Sequence, residues 1–376
     1  MKKFEISKYS CKIAADLPKF NSGYFLKFKE SKRFDLYIQY ALIAAKLALR
    51  NSKLDLKKQD PFKIGVFISS GIGGVKTFED ELRKLDLQGP RKTSPFLIPS
   101  FITNMASGVV AIDLRAKGCN FCITSACASS THSVGEGFNY IRNNLLNIAL
   151  VGGSESSITE LGFAGFCAMK TMSVGFNKNP KKSSRPFDSK RDGFVMGAGS
   201  VILILENYNL AKERNSIMYC ELVSYSFNCD ASHITTPDLS GLSLRTCITD
   251  CIERSGLTLN NIDYINAHGT STVYNDIIES SCIQSLLRDN LKSSFISSTK
   301  STTGHLLGSA GALEIAISAL AIFKNIVPPT INYEYPDSSC SLFYTPNIFL
   351  KRELKTAINI NLGFGGHNAV ILIKKI

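Results

Sequence analysis

Three observations indicate an α/β fold built from two similar halves. Short β-rich apolar runs alternate with longer helical segments, which is typical of buried sheets covered by helices. The chain has 376 residues, 44% of them apolar, enough to bury a large core. Residues 124–130 and 301–311 each pass from a predicted strand into a predicted helix through small residues. Two unrelated, tightly packed helices remain the alternative explanation of this echo.

The apolar runs and the breakers between them place the elements. The predicted strands are residues 64–69, 121–124, 148–152, 199–205, 264–267, 296–298 and 369–374. The predicted helices are residues 36–50, 128–143, 242–255, 276–287 and 311–323. Residues 177–192, rich in Lys, Ser, Pro and Arg, are predicted to form an exposed loop.

Composition and charge restrict the function class. The net charge of +12 indicates an acidic partner, whether nucleic acid, an anionic membrane surface or an acidic protein, and charge alone does not choose among them. The longest apolar runs, 41–49 and 311–323, each contain a charge and are shorter than the roughly 20 residues of a membrane span. The chain starts without an apolar leader, and its eleven cysteines are an odd number, so we expect reduced thiols and a cytoplasmic location.

Cys127 is the candidate nucleophile. It lies between small residues at the predicted start of a helix, where free backbone N–H groups and the helix dipole favour a thiolate. Most free cysteines are small buried hydrophobes, and we interpret Cys11, Cys167, Cys220, Cys229, Cys282 and Cys340 in this way. The pair Cys119 and Cys122 has no second pair at zinc-ligand spacing, so no metal site is predicted.

Two of the five histidines follow predicted strands in Gly- and Thr-rich turns. They are His268 and His305, and Lys300 precedes the second by five residues. A structural role is the default for any single histidine, but a cysteine with two such histidines and a lysine favours a catalytic site. The glycines around Phe364 fit no phosphate loop; the Phe364 N–H can instead face a developing oxyanion while its ring acts as a gate.

Several motifs in order along nearly the whole chain resemble one family. They are residues 89–92 with 94–96, the segment at Cys127, residues 185–188 with 191–194, residues 266–272, residues 300–305 and residues 363–366. The chain resembles the elongating β-ketoacyl-acyl-carrier-protein synthases of the thiolase-like superfamily, in dissociated type II fatty-acid synthesis. This resemblance implies five α-β-α-β-α layers in two pseudo-repeated halves, residues 1–210 and 211–376, and a homodimer formed across the N-terminal half.

The resemblance also implies the roles of the site residues. Cys127 corresponds to the acyl-accepting nucleophile, and the backbone N–H groups of Cys127 and Phe364 to the oxyanion hole. His268 and His305 correspond to the pair that handles malonyl decarboxylation. Lys300 is expected to orient His305, with support from Glu314. No metal or redox cofactor is implied, since the phosphopantetheine arrives on the acyl carrier protein.

Further positions match binding residues of the family. The pantetheine arm is expected at Thr235, Thr270 and Thr272. Ile72, Phe166 and Phe364 are expected at the acyl pocket, although plain core packing describes the first two about as well. The basic residues expected to receive the acidic carrier protein are Lys29, Lys32, Arg33, Arg91, Lys92 and Lys170. Together they assign the positive charge to a protein partner instead of nucleic acid or a membrane.

The sequence departs from the family at two places. Members usually open with a buried strand about forty residues upstream, and we expect its place to be central in the N-terminal sheet. A misplaced start codon, a shortened protein or substitution by residues 4–6 each explain this. Asn361, Leu362 and His367 replace the more usual Ser, Phe and Thr. A non-catalytic, chain-length-factor-like subunit and a polyketide ketosynthase remain alternatives to an enzyme of fatty-acid elongation.

Overall fold

The computed structural model describes residues 4–287 and 294–376. The strands are β1 (Ile64–Ser69), β2 (Asn120–Phe121), β3 (Ile148–Glu155), β4 (Gly199–Glu206), β5 (Glu221–Cys229), β6 (Tyr264–Asn266), β7 (Phe295–Ser297), β8 (Ile326–Val327), β9 (Leu350–Lys351), β10 (Thr356–Gly363) and β11 (His367–Lys374). The helices are α1 (Phe28–Arg33), α2 (Leu36–Ser52), α3 (Val75–Gln88), α4 (Leu97–Phe101), α5 (Met105–Leu114), α6 (Ser129–Arg142), α7 (Glu160–Ala168), α8 (Tyr208–Glu213), α9 (Leu242–Arg254), α10 (Val273–Leu286), α11 (Lys300–Thr303) and α12 (Ala310–Lys324).

Two sheets organise the chain. The first has the order β2-β1-β3-β4, in which β4 runs antiparallel to β3 and the other pairings are parallel. The second has the order β7-β6-β10-β11-β5, in which β11 runs antiparallel to both neighbours. The strands β1, β2, β3 and β4 therefore correspond to β6, β7, β10 and β11. Of the five strands in the second sheet, only β5 has no counterpart in the first sheet of the described chain. The strands β8 and β9 pair with each other in a separate two-stranded sheet.

Helices cover both faces of each sheet, because the buried strands carry apolar residues on both sides. On the outside of the first sheet, α2 and α5 pack through residues such as Ile38 and Val110. Between the sheets, α6 and α12 contribute Val134 and Ile315. On the far side, α9 and α10 cover the second sheet. This gives the five α-β-α-β-α layers predicted from the sequence.

All seven predicted strands and all five predicted helices exist, with ends shifted by at most three residues. The elements that were missed are the strands β5, β8, β9 and β10 and the helices α1, α3, α4, α5, α7, α8 and α11. The predicted surface loop 177–192 is wrong over residues 183–188, which are buried. There the Arg185 guanidinium, 1% exposed, donates to Asp188 at 2.9 Å, and pairing with a carboxylate is what makes burial of an arginine tolerable.

The echo between residues 124–130 and 301–311 reflects the repeated halves. Each segment leads from equivalent strands, β2 and β7, towards equivalent helices, α6 and α12. Each contains a short 3₁₀ turn, Ala126–Ala128 and Leu307–Ser309. Both turns begin at a non-glycine residue with φ of 50°, Ala126 and Leu307. Such strained backbone is uncommon and persists where the surrounding packing enforces it.

The outer edge of β4 is open. No described residue forms a strand beside it, whereas β11, in the same place of the second half, pairs with β5. Val201, Leu203, Ile204 and Leu205 are only partly buried, and a cavity of about 720 Å³ runs along residues 202–206. In the first sheet, the position equivalent to that of β5 is thus the edge beside β4. The expectation that the missing opening strand would be central in this sheet is therefore wrong. Phe4 does not fill it; its ring packs against Tyr9 and Phe163.

Hydrogen–deuterium exchange tests the open edge. In β11 both edges are bonded to neighbours, whereas in β4 only the edge facing β3 is. We expect alternate amides of β4 to exchange faster than every interior amide of β11, because unbonded edge amides are poorly protected. Residue-resolved exchange of the native protein measures this. Equal protection along both strands would show that the edge is covered.

Candidate active site

Cys127 lies in the turn that connects the first sheet to α6. The turn is closed by the Ser129 hydroxyl, which accepts from the Ser125 N–H at 2.9 Å and donates to the Ala126 carbonyl at 2.6 Å. The thiol is 8% exposed and packs within an apolar cluster with Phe163, Phe194 and Leu307. The fold therefore presents this cysteine, at the start of a helix, to an enclosed apolar space.

The protonation of Cys127 differs from the expectation of a ready thiolate. Burial raises the pKa of the Cys127 thiol to about 12, and the positive charge of Lys300 acts in the opposite direction. The expectation considered the helix start alone, whereas burial dominates. The resting side chain is consequently a neutral thiol at pH 7, and its proton must leave when it attacks.

The two histidines lie together. The His268 and His305 ring centroids are 5.5 Å apart at an interplanar angle of 88°, and each side chain is 3% exposed. The His305 ring also meets the Phe194 ring edge-on at 5.4 Å. Since Phe194 belongs to the Cys127 cluster, this contact joins the histidine pair to the nucleophile.

Both imidazoles are neutral near pH 7. Burial, followed by the charge of Lys300, holds the pKa of His268 and the pKa of His305 well below the usual value. The His268 backbone is fixed because its N–H donates to Glu279 at 2.6 Å. The His305 backbone is fixed by Val195, whose carbonyl accepts from its N–H at 2.8 Å. Two neutral rings on rigid backbone can each donate one N–H into the space between them.

Lys300 contacts His268 directly, and its charge also lowers the pKa of His305. The expected role of Lys300 in orienting His305 stays a prediction. The Lys300 ammonium donates to the His268 carbonyl at 2.6 Å and lies 3.3 Å from His268 Nδ1. It also forms an ion pair with Glu314, as expected. Lys300 and Glu314 are 1% and 2% exposed, so each charge depends on the other in the low dielectric of the interior.

The glycine-rich turn at Phe364 reaches the nucleophile turn. A Cβ added at Gly363 would collide with the Ser125 carbonyl oxygen and lie 3.4 Å from the Cys127 nitrogen. Gly365 has a φ of 89°, a conformation that glycine adopts most readily. This close approach brings the backbone before Phe364 against the start of α6, consistent with a pair of N–H donors from the two segments.

The remaining predicted residues divide by location. Ile72 and Phe166 pack on the Cys127 cluster, and the Phe166 ring meets Phe194 edge-on at 5.5 Å. Thr270 and Thr272 share a hydrogen bond of 2.8 Å just after His268. Thr235 lies further away in sequence, but the carbonyl of its neighbour Ile234 accepts from the Gly365 N–H at 2.8 Å. The structure thus brings the predicted pocket and arm residues to the same region.

The six predicted docking residues are all exposed. Arg33 on α1 lies over the Phe96 ring at 4.9 Å, which joins the segment of Lys29 and Lys32 to the segment that follows Arg91 and Lys92. Lys170 follows α7, on a different segment from the other five residues.

Sequence reasoning missed several buried polar residues of the site. Glu279 binds the backbone of His268, and Glu155 accepts from the Gly71 N–H at 2.8 Å. Asn361, noted only as a departure, contacts Glu314. The sequence signal was an acidic or amide side chain in an otherwise apolar element. In the described ranges 4–287 and 294–376, no group of three or more His, Cys, Asp or Glu could hold a metal ion.

Comparison with known proteins identifies the family. The model of the β-ketoacyl synthase N-terminal domain matches residues 4–211, and that of the C-terminal domain matches residues 219–334. The chain belongs to the β-ketoacyl synthase family. A 3-oxoacyl-[acyl-carrier-protein] synthase 2 from Synechocystis is 42% identical to this ketosynthase over 99% of the chain and 89% of the relative. One from Coxiella burnetii is 39% identical over 100% of the chain and 90% of the relative.

Solved structures show the same fold. A type II polyketide ketosynthase, solved in complex with its acyl-carrier protein, superposes on this ketosynthase with a TM-score of 0.91 at 31% identity, covering 99% of this chain and 91% of the other. The ishigamide ketosynthase/chain length factor gives 0.93 at 28% identity, covering 100% and 91%. The predicted family, the thiolase-like fold and the prediction of a condensing acyltransferase of fatty-acid elongation are confirmed.

One helical segment has the hydropathy of a membrane span. Residues Leu307–Lys324 are long and apolar enough to cross a bilayer, but 67% of the segment is buried inside the protein. It includes α12, which packs between the two sheets. Its apolar character therefore follows from its place in the core of the ketosynthase.

Alkylation of Cys127 tests its protonation state. Because the pKa of the thiol is raised to about 12, the thiolate fraction should rise about tenfold for each pH unit below that value. We expect the rate of iodoacetamide modification at Cys127 to keep rising from pH 7 to pH 10. Peptide mass spectrometry measures the rate, with Cys127→Ala as the control for assignment. A plateau reached by pH 8 would contradict the neutral resting thiol.

Proposed function

We propose that this protein catalyses the decarboxylative condensation of an acyl thioester with malonyl-acyl carrier protein, through an acyl-Cys127 intermediate. The product is a 3-ketoacyl thioester two carbons longer. The observation that carries the proposal is the enclosed group formed by one buried thiol, two adjacent neutral imidazoles and a buried lysine–glutamate pair. Thioester exchange followed by carbanion chemistry needs these groups together.

The first half reaction is acyl transfer. The Cys127 sulfur attacks the acyl carbon of the incoming thioester, a bond from Sγ to that carbon forms, and the bond to the carrier's pantetheine sulfur breaks. The thiol proton leaves Cys127 and ends on the departing sulfur. The backbone N–H groups of Cys127 and Phe364 stabilise the oxyanion that forms between these two events.

The second half reaction is decarboxylation and condensation. The malonyl carboxylate leaves as CO₂, and its bonding electrons remain as an enolate. Neutral His268 and His305 donate N–H hydrogen bonds to the enolate oxygen. Two cationic imidazoles could donate as well, but burying their charges would cost far more free energy. The enolate carbon then attacks the acyl carbon, the bond from that carbon to Cys127 Sγ breaks, and the released thiolate takes up a proton from water. The reaction consumes no metal or redox cofactor.

The two threonines after His268, with Thr235 beside the glycine turn, line the approach for the pantetheine arm. Ile72 and Phe166 bound the acyl chain near Cys127. The partner that brings both substrates is an acyl carrier protein, and the basic residues on α1 and around Arg91 receive its acidic surface. We further propose a homodimer and a cytoplasmic location. The division into halves at residues 1–210 and 211–376 stays a prediction.

An alternative role as a non-catalytic subunit is less well supported. Such a subunit needs neither a nucleophile nor a decarboxylating pair, and this chain holds Cys127, His268 and His305 in one buried group. A polyketide ketosynthase uses the same chemistry, but the fatty-acid relatives are 39–42% identical and the two polyketide-type structures 28–31%. These identities favour fatty-acid elongation.

Half-reaction assays test the proposed chemistry. Purified protein incubated with acyl-loaded carrier protein should gain an acyl adduct on the Cys127 peptide, and Cys127→Ala should abolish it. Malonyl carrier protein should release CO₂, and His268→Ala should reduce this release roughly 10²- to 10³-fold while acylation proceeds. Cys229→Ala, at an exposed cysteine, is the matched control. An adduct that persists in Cys127→Ala would sink the mechanism.

Carrier docking is tested by charge reversal and by salt. Replacing Arg91 and Lys92 together by Glu should raise KM for the carrier substrate roughly tenfold and leave kcat nearly unchanged, because distant surface charges act on encounter and binding. Raising the ionic strength should shift the wild-type KM in the same direction. Lys375→Glu, at an exposed lysine in the second half, is the control. An unchanged KM in both experiments would remove the basic surface from the docking proposal.

A further inference from the structure

A line of buried polar side chains connects the nucleophile helix with the histidine pair. It starts at Thr131 on α6, whose hydroxyl donates to Asn361 Oδ1 at 2.6 Å. Asn361 on β10 donates to Glu314 Oε2 at 2.7 Å. The other oxygen of Glu314 pairs with Lys300, which reaches His268. None of the steps of the proposed reaction requires Asn361, yet it lies in the middle of this line.

The orientation of the Asn361 amide is determined by its neighbours. A carboxylate only accepts hydrogen bonds, so the amide nitrogen must face Glu314. The amide oxygen accepts from two donors, the Thr131 hydroxyl and the Asn359 amide at 2.7 Å. The side chain has no exposed surface. An apolar replacement would leave the buried Oε2 of Glu314 without this donor, which is costly in the interior.

Asn361 also faces His268 directly. Its amide nitrogen lies 3.5 Å from His268 Nδ1, and the Lys300 ammonium lies 3.3 Å from the same atom. Both groups are donors without acceptor capacity, so Nδ1 has to be the acceptor and the ring hydrogen has to be on Nε2. By contrast, His305 Nδ1 has no hydrogen-bond partner among the described residues. Hydrogen-bond donors at Nδ1 therefore fix the tautomer of His268, whereas no such donor among the described residues fixes that of His305.

The packing around Asn361 preserves this arrangement. A Cβ added at Gly311, at the start of α12, would collide with Thr131 Oγ1 and lie 2.9 Å from Asn361 Oδ1. The absence of a side chain there lets α12 approach α6 closely enough for Glu314 and Thr131 to share one amide. Burial raises the pKa of Glu314, and the charge of Lys300 and the Asn361 N–H both oppose that rise.

We propose that Asn361 is a positioning residue for decarboxylation: it holds Glu314 against Lys300 and thereby keeps His268 in the tautomer that donates from Nε2. This inference rests on the proposed role of His268 as an enolate donor. It assigns Asn361 no contact with substrate. The acylation of Cys127 does not depend on it, because the nucleophile and the oxyanion donors belong to other residues.

The test compares Asn361→Leu, which keeps the size and removes the hydrogen bonds, with Asn361→Asp, which keeps the shape and replaces the donor by an acceptor. Asn368→Leu is the matched control, because Asn368 is equally buried on the neighbouring strand and donates to Asn228 and Asp230 at 3.1 and 2.7 Å. All variants are made in the full chain. Thermal unfolding establishes that each variant used is folded.

Two readouts are measured, the half reactions and the histidine tautomer. We expect both Asn361 variants to lower kcat for CO₂ release from malonyl carrier protein about tenfold to a hundredfold, less than loss of a whole oxyanion donor, with KM and the rate of Cys127 acylation unchanged. ¹⁵N NMR of histidine-labelled protein, with His268→Ala for assignment, should show a single Nε2–H tautomer in the wild type and in Asn368→Leu. In the Asn361 variants it should show a mixture.

The possible outcomes distinguish failure of the proposed function from failure of the positioning role of Asn361. If His268→Ala releases CO₂ at the wild-type rate, the proposed function itself fails. If His268→Ala is inactive but a folded Asn361 variant keeps kcat and tautomer, only the positioning role is overturned. Equal loss of acylation and decarboxylation with an unchanged histidine spectrum would also overturn it, because a purely structural role produces that pattern.

Discussion

The buried ion pair of Lys300 with Glu314 is the interaction on which the active centre depends. Neither charge is solvated, so removing one partner would leave the other unpaired in the interior, which typically costs about 3–5 kcal/mol. The pair lies where α11 and α12 meet the loop after β6, and its field reaches Cys127, His268 and His305. Burial is the main reason why both imidazoles are neutral, the Lys300 cation adds to it, and the same cation opposes the effect of burial on the thiol.

Burial also sets the charge state of the site. It raises the pKa of the Cys127 thiol and lowers the pKa of His268 and of His305, so all three groups are neutral near pH 7. In the proposed reaction, the apolar cluster around Cys127 accepts the acyl chain and the polar line behind the histidines supports decarboxylation of the malonyl group. The two proposed half reactions thus depend on different kinds of side chain.

Much of the fold and of the candidate site could be predicted from the sequence, because the nucleophile, the histidines and the lysine lie in short local motifs with recognisable turns. The parts that could not be predicted depend on contacts between distant residues. The hydrogen bond of Asn361 joins residues 230 positions apart, and the contact of Lys300 with the His268 carbonyl joins residues 32 positions apart. The Arg185 loop was predicted as exposed because its composition is polar, yet its charges are buried through pairing. β5 escaped detection because Ser224, Ser226 and Asn228 interrupt its apolar run.

Among the described residues, no strand pairs with the outer edge of β4. Unpaired backbone groups beside Leu203 and Leu205 are a template for any extended chain, including that of a partly unfolded neighbour. In the second half β5 removes this liability by occupying the same position beside β11. A chain added beside β4 would extend the first sheet at its edge, whereas the buried site combines Cys127 of that half with His268 and His305 of the other.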